Sequence, residues 1–378
     1  MSAEEILGGY VAAGEQVVSP WNEKLQYEGR IDFDGEEGPV WVYPATHVSF
    51  RFRGRALKAV VTNLQGYFDN YMGFVLDGKE SKVRLADSGV TVISIGEDLE
   101  LKEHELCFFK RQDSCHLVIL HGFIGDRDFE LLDPPPLSNR RIEVYGDSVS
   151  AGEVSEAVEY CGQPDPEHNG EFSNSYYSYA WLTARKLGAR LHDIAQGGAA
   201  LLDDTGWYSG GIRAEDGSVS DRFTGMETIY DKLKYNLNLS NAKRWNFDDY
   251  RPQVVVVAIG QNDSNPEDYM AHDYYSEKAE HWRERYRKFL MILRSIHPNA
   301  HIICTTTILG HDSNWDKAIG QVCEEMQDDK VHHFLYSQNG CGTPGHIRIP
   351  EAEQMAEELS AYIRSLGEEI WNLEEVSS

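Results

Sequence analysis

Positive charge is scarce in this sequence. Its 378 residues include 62 Asp and Glu but only 35 Lys and Arg, so the formal net charge at pH 7 is −27. Proteins that bind nucleic acid rely on clustered Lys and Arg to neutralise the phosphates. The charge therefore argues against a nucleic-acid partner, an anionic membrane surface and strongly anionic substrates, and neutral ligands fit better.

Long apolar runs are also missing. No window approaches the roughly 18 consecutive apolar residues that are needed to cross a bilayer. The first residues, MSAEEILGGYVAAGEQVV, are acidic where a signal peptide would be basic. For the chain as given we expect a soluble, cytoplasmic protein with no membrane partner, and its size leaves a homo-oligomer open.

Cysteine pairs are the third absence. The six cysteines form no CxxC motif and have no histidine at zinc spacing. We therefore expect reduced thiols and neither a metal nor another cofactor. His332 and His333 are adjacent, and neighbouring residues of a strand point to opposite faces, so the two side chains are poorly placed to share one ion.

Short segments rich in β-branched and aromatic residues run from residue 26 to about 132, separated by Gly, Asp and Asn. In HVSFRFRG, Val48, Phe50 and Phe52 alternate with polar residues, as in a strand with one buried face. Many short strands without intervening helices predict a β-sandwich of the jelly-roll type. Prolines 134–136 interrupt the pattern, so we assign residues 1–136 to this domain.

Residues 137–378 have a different pattern. Compact apolar runs such as RIEVYG and QVVVVAIG alternate with helical stretches, the last of which is PEAEQMAEELSAYIRSLGEEIW. Strands that alternate with helices predict an α/β domain with a doubly wound parallel sheet. In such sheets ligands bind at the carboxyl ends of the strands.

Four loops are expected at that edge of the sheet or just before the last helix: GDSVSAG, AQGGAAL, GQND and GTPGHIRIP. Ser148 in the first loop is a candidate nucleophile, and His346 in the last is a candidate general base. The backbone N–H groups of Ser148 and Gly197 and the amide of Asn262 are candidate oxyanion donors. Each loop alone also has an ordinary explanation as a turn or a packing glycine, and their order along the chain is what favours catalysis.

This order resembles that of the SGNH (GDSL-type) hydrolases, a family of esterases and deacetylases, over residues 140–370. The segment YEGRIDFDG followed by VWVYPATHVSFRFRG and a strand-rich domain is similar to the two-domain acetyl esterases of carbohydrate esterase family two. The resemblance implies an N-terminal jelly roll, a C-terminal SGNH domain and removal of acetyl groups from sugars such as xylan. It also implies the nucleophile, oxyanion and base roles for Ser148, Gly197, Asn262 and His346.

One position departs from the family pattern. SGNH enzymes usually have an Asp three residues before the catalytic His, and here that residue is Thr343. Three explanations remain open: a Ser-His dyad whose ring is held by a backbone carbonyl, an orienting carboxylate from elsewhere such as Asp312, or an impaired enzyme. We favour the first, because the resemblance implies a family in which some members manage without the acid. Loss of the acid need not abolish turnover, since the oxyanion hole contributes separately.

Aromatic side chains near these loops are candidate sugar contacts. Trp207 and Tyr208 lie in DTGWYSGG after the second loop, and Trp315 follows the fourth predicted strand. The sequence thus predicts a serine esterase that deacetylates oligosaccharides. The alternatives are a lipase or thioesterase of the same fold, which acts on other acyl esters, and an inactive carbohydrate-binding protein.

Overall fold

The computed structural model describes residues 1–213 and 218–372, which form two compact units. The first unit contains Met1–Leu137 and Asn169–Glu171, and the rest of the described chain belongs to the second. The sequence places its single boundary near residue 136 and does not single out Asn169–Glu171. None of the six cysteines, all of which are described, forms a disulfide. Within the described ranges, no helix is long and apolar enough to cross a membrane.

The first unit contains one short helix and twelve strands. They are α1 Ala3–Gly8, β1 Gln16–Val18, β2 Gln26–Glu28, β3 Ile31–Asp32, β4 Val40–Trp41, β5 His47–Gly54, β6 Leu57–Gln65, β7 Tyr71–Leu76, β8 Lys79–Arg84, β9 Ser88–Gly96, β10 Lys102–Lys110, β11 His116–Gly125 and β12 Glu130–Leu131. Two six-stranded sheets result. One has the order β3-β4-β11-β6-β9 with β1 beside β11, and the other has the order β12-β5-β10-β7-β8 with β2 beside β5.

The two sheets enclose one apolar core. Val48, Phe50 and Phe52 of β5 are buried, as the alternation in the sequence predicts, and they share a cluster with residues of the other sheet. Phe50 packs edge-on against Phe123 of β11, with 4.8 Å between ring centroids. The paired strands are antiparallel throughout this core, and the predicted β-sandwich is confirmed.

The second unit contains nine strands, seven α-helices and five short 3-10 helices among its described residues. The strands are β13 Arg141–Gly146, β14 Arg190–Ala195, β15 Ile212–Arg213, β16 Val219–Ser220, β17 Lys232–Lys234, β18 Lys243–Arg244, β19 Val254–Ala258, β20 His301–Thr305 and β21 Val331–His333. The α-helices are α2 Ser148–Ala151, α3 Tyr179–Leu187, α4 Met226–Ile229, α5 Tyr269–His272, α6 Glu277–Ile296, α7 Ser313–Met326 and α8 Ile349–Ser365. The 3-10 helices are Val158–Tyr160, Ser175–Tyr177, Phe247–Asp249, Gln261–Ser264 and Glu368–Trp371.

A five-stranded parallel sheet organises this unit, in the order β14-β13-β19-β20-β21. Every residue of β19 is buried, as expected for a strand covered on both faces. Helix α3 packs against α8, and α6 packs against α7. The chain proceeds from β13 to β14 on one side and later to β19 on the other, so the strand order reverses beside β13. Ligands of doubly wound sheets bind at such a switch point, at the carboxyl ends of the strands.

Candidate active site

Ser148 lies at the carboxyl end of β13 and begins the one-turn helix α2. Asp147 caps this helix, because its carboxylate accepts a hydrogen bond from Val149 N–H at 3.0 Å. A Cβ at Gly146 would lie 2.1 Å from Ser150 Oγ, so glycine is required at the end of the strand. The backbone N–H of Ser148 has no acceptor within the helix, as in the first turn of any helix. The serine is therefore held on a sharp strand-to-helix turn.

His346 lies just before α8, and its imidazole reaches the serine. Its Nε2 is 2.9 Å from Ser148 Oγ. The N–H of Arg348 donates to Glu351 in the first turn of α8 at 2.7 Å, which fixes the chain where the loop enters the helix. The side chains that the sequence pairs as nucleophile and base are thus in hydrogen-bond contact, although they are far apart in the chain.

Asp165 supplies the acid that the sequence analysis did not identify. Its Oδ2 is 2.5 Å from Nδ1 of His346, and its Oδ1 accepts a hydrogen bond from the His346 backbone N–H at 2.8 Å. The favoured explanation, a ring held by a backbone carbonyl, was therefore wrong. Asp312 instead caps α7, where it accepts a hydrogen bond from Asn314 N–H at 2.9 Å. An ionised carboxylate forms a stronger hydrogen bond with an imidazole than a neutral carbonyl does.

The sequence does contain a signal for Asp165. The residue stands between Pro164 and Pro166, and each proline fixes its own φ and restricts the residue before it. A carboxylate in so stiff a loop is well suited to hold a partner in one orientation. At the usual acid position, Thr343 Oγ1 accepts a hydrogen bond from Gly345 N–H at 3.4 Å and so helps to form the turn before His346.

Asp165 determines the tautomer of His346. A carboxylate only accepts hydrogen bonds, so Nδ1 carries the proton and Nε2 presents its lone pair to the serine hydroxyl. Burial opposes protonation of the ring, but the hydrogen bond with Asp165 and the charges of Glu153, Asp165 and Asp147 raise the pKa of His346. Burial also opposes ionisation of Asp165, yet the hydrogen bonds and charge of His346 hold the pKa of Asp165 well below its ordinary value. These charges therefore stabilise the imidazolium that forms when His346 takes a proton.

The predicted oxyanion donors lie on loops that follow three adjacent strands. Ser148 follows β13, Gly197 follows β14, and Asn262 follows β19 in a 3-10 helix. Asn262 Nδ2 is 3.1 Å from the carbonyl oxygen of Ala199 and 3.2 Å from Oδ2 of Asp147. Asn262 therefore bridges the Ser148 loop and the Gly197 loop. An oxyanion would accept hydrogen bonds from the same amide group that donates to Ala199 and Asp147. Donation by the three groups to an oxyanion stays a prediction.

Asp147 is a buried residue that contacts both the start of α2 and the loop of Asn262. It is fully buried, and burial raises its pKa to about 6, although the hydrogen bond from Val149 N–H and the charge of His346 counteract this effect. Gln261 donates to its Oδ2 at 2.9 Å. Its contacts hold the helix start and the Asn262 loop together, which agrees with a role in shaping the turn.

Trp207 is the one exposed ring among the three aromatic residues predicted near the site, with 64% of its surface accessible. The backbone N–H of Trp207 donates to the carbonyl oxygen of Gly198 at 2.7 Å. Gly198 has φ +74°, and a Cβ there would lie 2.8 Å from the Cβ of Trp207. The backbone of Trp207 is therefore anchored to the glycine turn that contains Gly197.

The predictions for Tyr208 and Trp315 as sugar contacts were wrong. Tyr208 is 2% exposed and packs edge-on against Tyr235, with 5.9 Å between ring centroids. Trp315 is completely buried in α7, where its Nε1 donates to Asp268 Oδ1 at 3.1 Å and its ring packs against Trp282. Neither ring has an accessible face on which a sugar could stack.

Comparisons with known proteins agree with this architecture. Residues 27–135 match the family model described as carbohydrate esterase 2 N-terminal. The cellulase/esterase CelE of Acetivibrio thermocellus is 28% identical over 355 residues, which are 91% of this chain and 40% of that protein. The acetylxylan esterase / glucomannan deacetylase of Cellvibrio japonicus is 23% identical over 350 residues, which are 90% of this chain and 88% of that protein. The chain is therefore similar to the family two carbohydrate esterases in sequence.

Solved structures extend the likeness to the fold of both units. A family two carbohydrate esterase from Clostridium thermocellum, in complex with cellohexaose, has a TM-score of 0.73 and 24% identity and covers 90% of this chain and 98% of its own. One from Cellvibrio japonicus has a TM-score of 0.74 and 22% identity, with 93% and 98% covered. The resemblance to the family two esterases is therefore confirmed. The chain spans 40% of the length of CelE, the first curated relative described above.

Proposed function

We propose that this protein is a serine carboxylic ester hydrolase that removes O-acetyl groups from carbohydrates, in particular from xylan-derived and related oligosaccharides. The observation that carries the proposal is the hydrogen-bonded series of Asp165, His346 and Ser148, with contacts of 2.5 Å and 2.9 Å. A serine beside an imidazole whose other nitrogen is held by a carboxylate is the arrangement that activates a hydroxyl for acyl transfer. The names of both curated relatives include esterase, and one includes acetylxylan.

The geometry supports the following sequence of steps. His346 Nε2 takes the proton of Ser148 Oγ as that oxygen bonds to the acetyl carbonyl carbon. The oxyanion that forms is stabilised by the N–H groups of Ser148 and Gly197 and by the amide of Asn262. The imidazolium then returns the proton to the sugar oxygen as the bond between carbon and that oxygen breaks. Water attacks the acetyl-enzyme by the same route and releases acetate.

Two features support an uncharged sugar as the leaving group. Trp207 presents an exposed indole beside the Gly197 turn, and aromatic faces bind the apolar faces of sugar rings. The net charge of −27 disfavours anionic substrates over neutral ones.

The test is acetate release from acetylated xylo-oligosaccharide by the wild type and by Ser148→Ala. We expect the variant to lose at least about 10³-fold in kcat, because the nucleophile is gone, and to keep the wild-type circular dichroism spectrum and Tm. Equal acetate release by the two proteins would overturn the mechanism.

Substrate profiling separates the alternatives. p-Nitrophenyl esters of increasing chain length should be cleaved fastest as acetate, whereas a lipase or thioesterase would prefer longer chains. Binding of the oligosaccharide by the wild type with no acetate released would indicate a carbohydrate-binding protein instead.

A further inference from the structure

A second carboxylate faces the candidate base. Glu153 comes directly after Gly152, whose left-handed conformation (φ +78°) ends α2 after one turn. The N–H of Glu153 donates to the carbonyl oxygen of Ser148 at 2.9 Å, so the chain folds back toward the nucleophile. The fold thus brings a carboxylate from the same short segment close to the serine.

The side chain of Glu153 lies beside the nitrogen that exchanges protons. Its Oε2 is 3.9 Å from Nε2 of His346, whereas Asp165 contacts the opposite nitrogen, Nδ1, at 2.5 Å. Nε2 is the atom that takes the proton from Ser148 and returns it to the leaving oxygen. Glu153 therefore occupies the side of the imidazole at which the leaving alcohol departs, and it is partly exposed there, with 22% of its side chain accessible.

We propose that Glu153 is a specificity and positioning residue for the ester's alcohol: its carboxylate accepts a hydrogen bond from a hydroxyl of the leaving sugar, orients Nε2 of His346 and repels alcohols that carry negative charge. This inference rests on the proposed esterase function. A leaving oxygen must approach Nε2 to within hydrogen-bond distance, and a hydroxyl on the neighbouring ring carbon then lies within reach of Glu153. Carboxylates accept several hydrogen bonds at once, so a bond to the sugar is compatible with other contacts of Glu153.

The charges around the imidazole explain why Glu153 also affects the pH profile. Asp165 faces Nδ1, Glu153 faces Nε2, and Asp147 lies at the start of α2; all three favour the protonated ring. Arg348 contacts the carbonyl oxygen of His346 and lies 2.9 Å from Asp165 Oδ1, so this cation neutralises part of the charge on the Nδ1 side. Removal of the Glu153 charge should lower the pKa of His346, and the unprotonated base should then persist to lower pH.

The experiment compares Glu153→Gln with two controls. Glu153→Asp keeps the charge, and Glu284→Gln makes the same substitution at an exposed position of α6. The substrates are a mono-acetylated methyl xyloside, the corresponding methyl uronoside, which carries a carboxylate, and p-nitrophenyl acetate, which has no neighbouring hydroxyl. kcat and KM are measured from pH 5 to pH 9.

For Glu153→Gln we expect kcat/KM on the xyloside to fall about tenfold, since a charge-assisted hydrogen bond is lost, and that on p-nitrophenyl acetate to fall less than about threefold. The preference for xyloside over uronoside should shrink about tenfold. The acidic limb of the kcat/KM profile should move down by about one pH unit, as expected for a charge at this distance in a partly exposed site. Glu153→Asp keeps the charge, so each of these changes should be smaller in it than in Glu153→Gln. Glu284→Gln should match the wild type.

Equal losses on all three substrates with an unmoved acidic limb would indicate a merely structural role and overturn the inference. Unchanged kinetics in Glu153→Gln, with Ser148→Ala inactive, would overturn it while leaving the esterase proposal intact. Full activity in Ser148→Ala would overturn the esterase proposal itself.

Discussion

Proton transfer at the site depends on the orientation of one imidazole ring. Ser148, Asp165 and His346 come from three separate segments of the second unit, and two short contacts hold the ring between the other two side chains. If Asp165 did not accept the Nδ1 proton, the proton could reside on Nε2 instead, and the lone pair would no longer face the serine hydroxyl. Asp165 is therefore expected to matter through the tautomer as well as through its charge.

Asp165→Asn should lower kcat on p-nitrophenyl acetate by about 10³- to 10⁴-fold, because the amide supports the wrong tautomer and no longer stabilises the imidazolium. The matched control is Asp312→Asn. Asp312 caps α7, and asparagine caps helices equally well, so this variant should keep kcat within about twofold. A large loss in the control, or wild-type kcat in Asp165→Asn, would contradict the assignment of Asp165 as the orienting acid.

The sequence could predict those site residues whose position follows from the apolar pattern of the neighbouring strand or helix. Ser148 follows an apolar strand and His346 precedes an amphipathic helix, so their places at the sheet edge follow from neighbouring residues. Asp165 forms a hydrogen bond with His346, which is 181 positions away. The residues around Asp165 do not indicate which residue it contacts. Its two flanking prolines indicate a stiff loop, but the position of that loop depends on long-range packing.

At the scale of the element, α2 shows how a single turn is specified at both ends. Asp147 caps its start, and Gly152 ends it in a left-handed conformation that disfavours any other residue. A Cβ at Gly152 would lie 2.5 Å from the carbonyl oxygen of Asn174. Gly188 ends α3 with φ +60°, and a Cβ there would meet no atom within 4 Å.

These two glycines form a matched pair. Gly188→Ala should cost about 1 kcal/mol in free energy of unfolding, from left-handed strain alone, and leave kcat unchanged. Gly152→Ala adds a backbone overlap next to the nucleophile, so it should cost about 2–3 kcal/mol and lower kcat at least about tenfold. Urea unfolding and steady-state kinetics of the two variants measure the difference. Similar results for both would mean that the contact with Asn174 relaxes without effect on Ser148.

In helix α7, the spacing of the apolar residues predicts that Trp315 is buried. Its place after a strand makes Trp315 a candidate sugar contact. However, Trp315, Ala318, Ile319 and Val322 are spaced as one helical stripe, and all are buried. Apolar residues at this spacing form the face of a helix that packs against the core, and the indole belongs to that face. Trp207 and Tyr208 carry no such periodicity in their irregular loop, so which of the two rings faces outward was not readable from the sequence.

At the scale of the whole molecule, composition and the periodicity of apolar residues were enough to predict the main architecture. Strand β5 of the sandwich alternates with a period of two, and strand β19 of the parallel sheet is apolar throughout, so patterns typical of the two fold classes can be distinguished before any tertiary contact is known. The inclusion of Asn169–Glu171 in the first unit was not foreseeable, since part of its contacts are made through backbone carbonyl oxygens. Asp69 N–H, for example, donates to the Asn169 carbonyl oxygen at 3.0 Å, and any residue type offers that acceptor.

The excess of acidic residues predicts a salt-dependent stability for the molecule as a whole. A net charge of −27 makes the folded chain repel itself, and dissolved salt screens this repulsion. At pH 8 and low buffer concentration, 0.3 M NaCl should raise Tm by about 2–4 °C, because it shortens the Debye length to below about 8 Å. At pH 5, where fewer carboxylates are ionised, the same addition should raise Tm by less. Calorimetric scans with NaCl, and with sucrose as an uncharged control, measure both effects. An equal rise at the two pH values would mean that salt acts through hydrophobic burial or specific ion binding, and that the local pairing of acids with Lys and Arg already compensates the net charge.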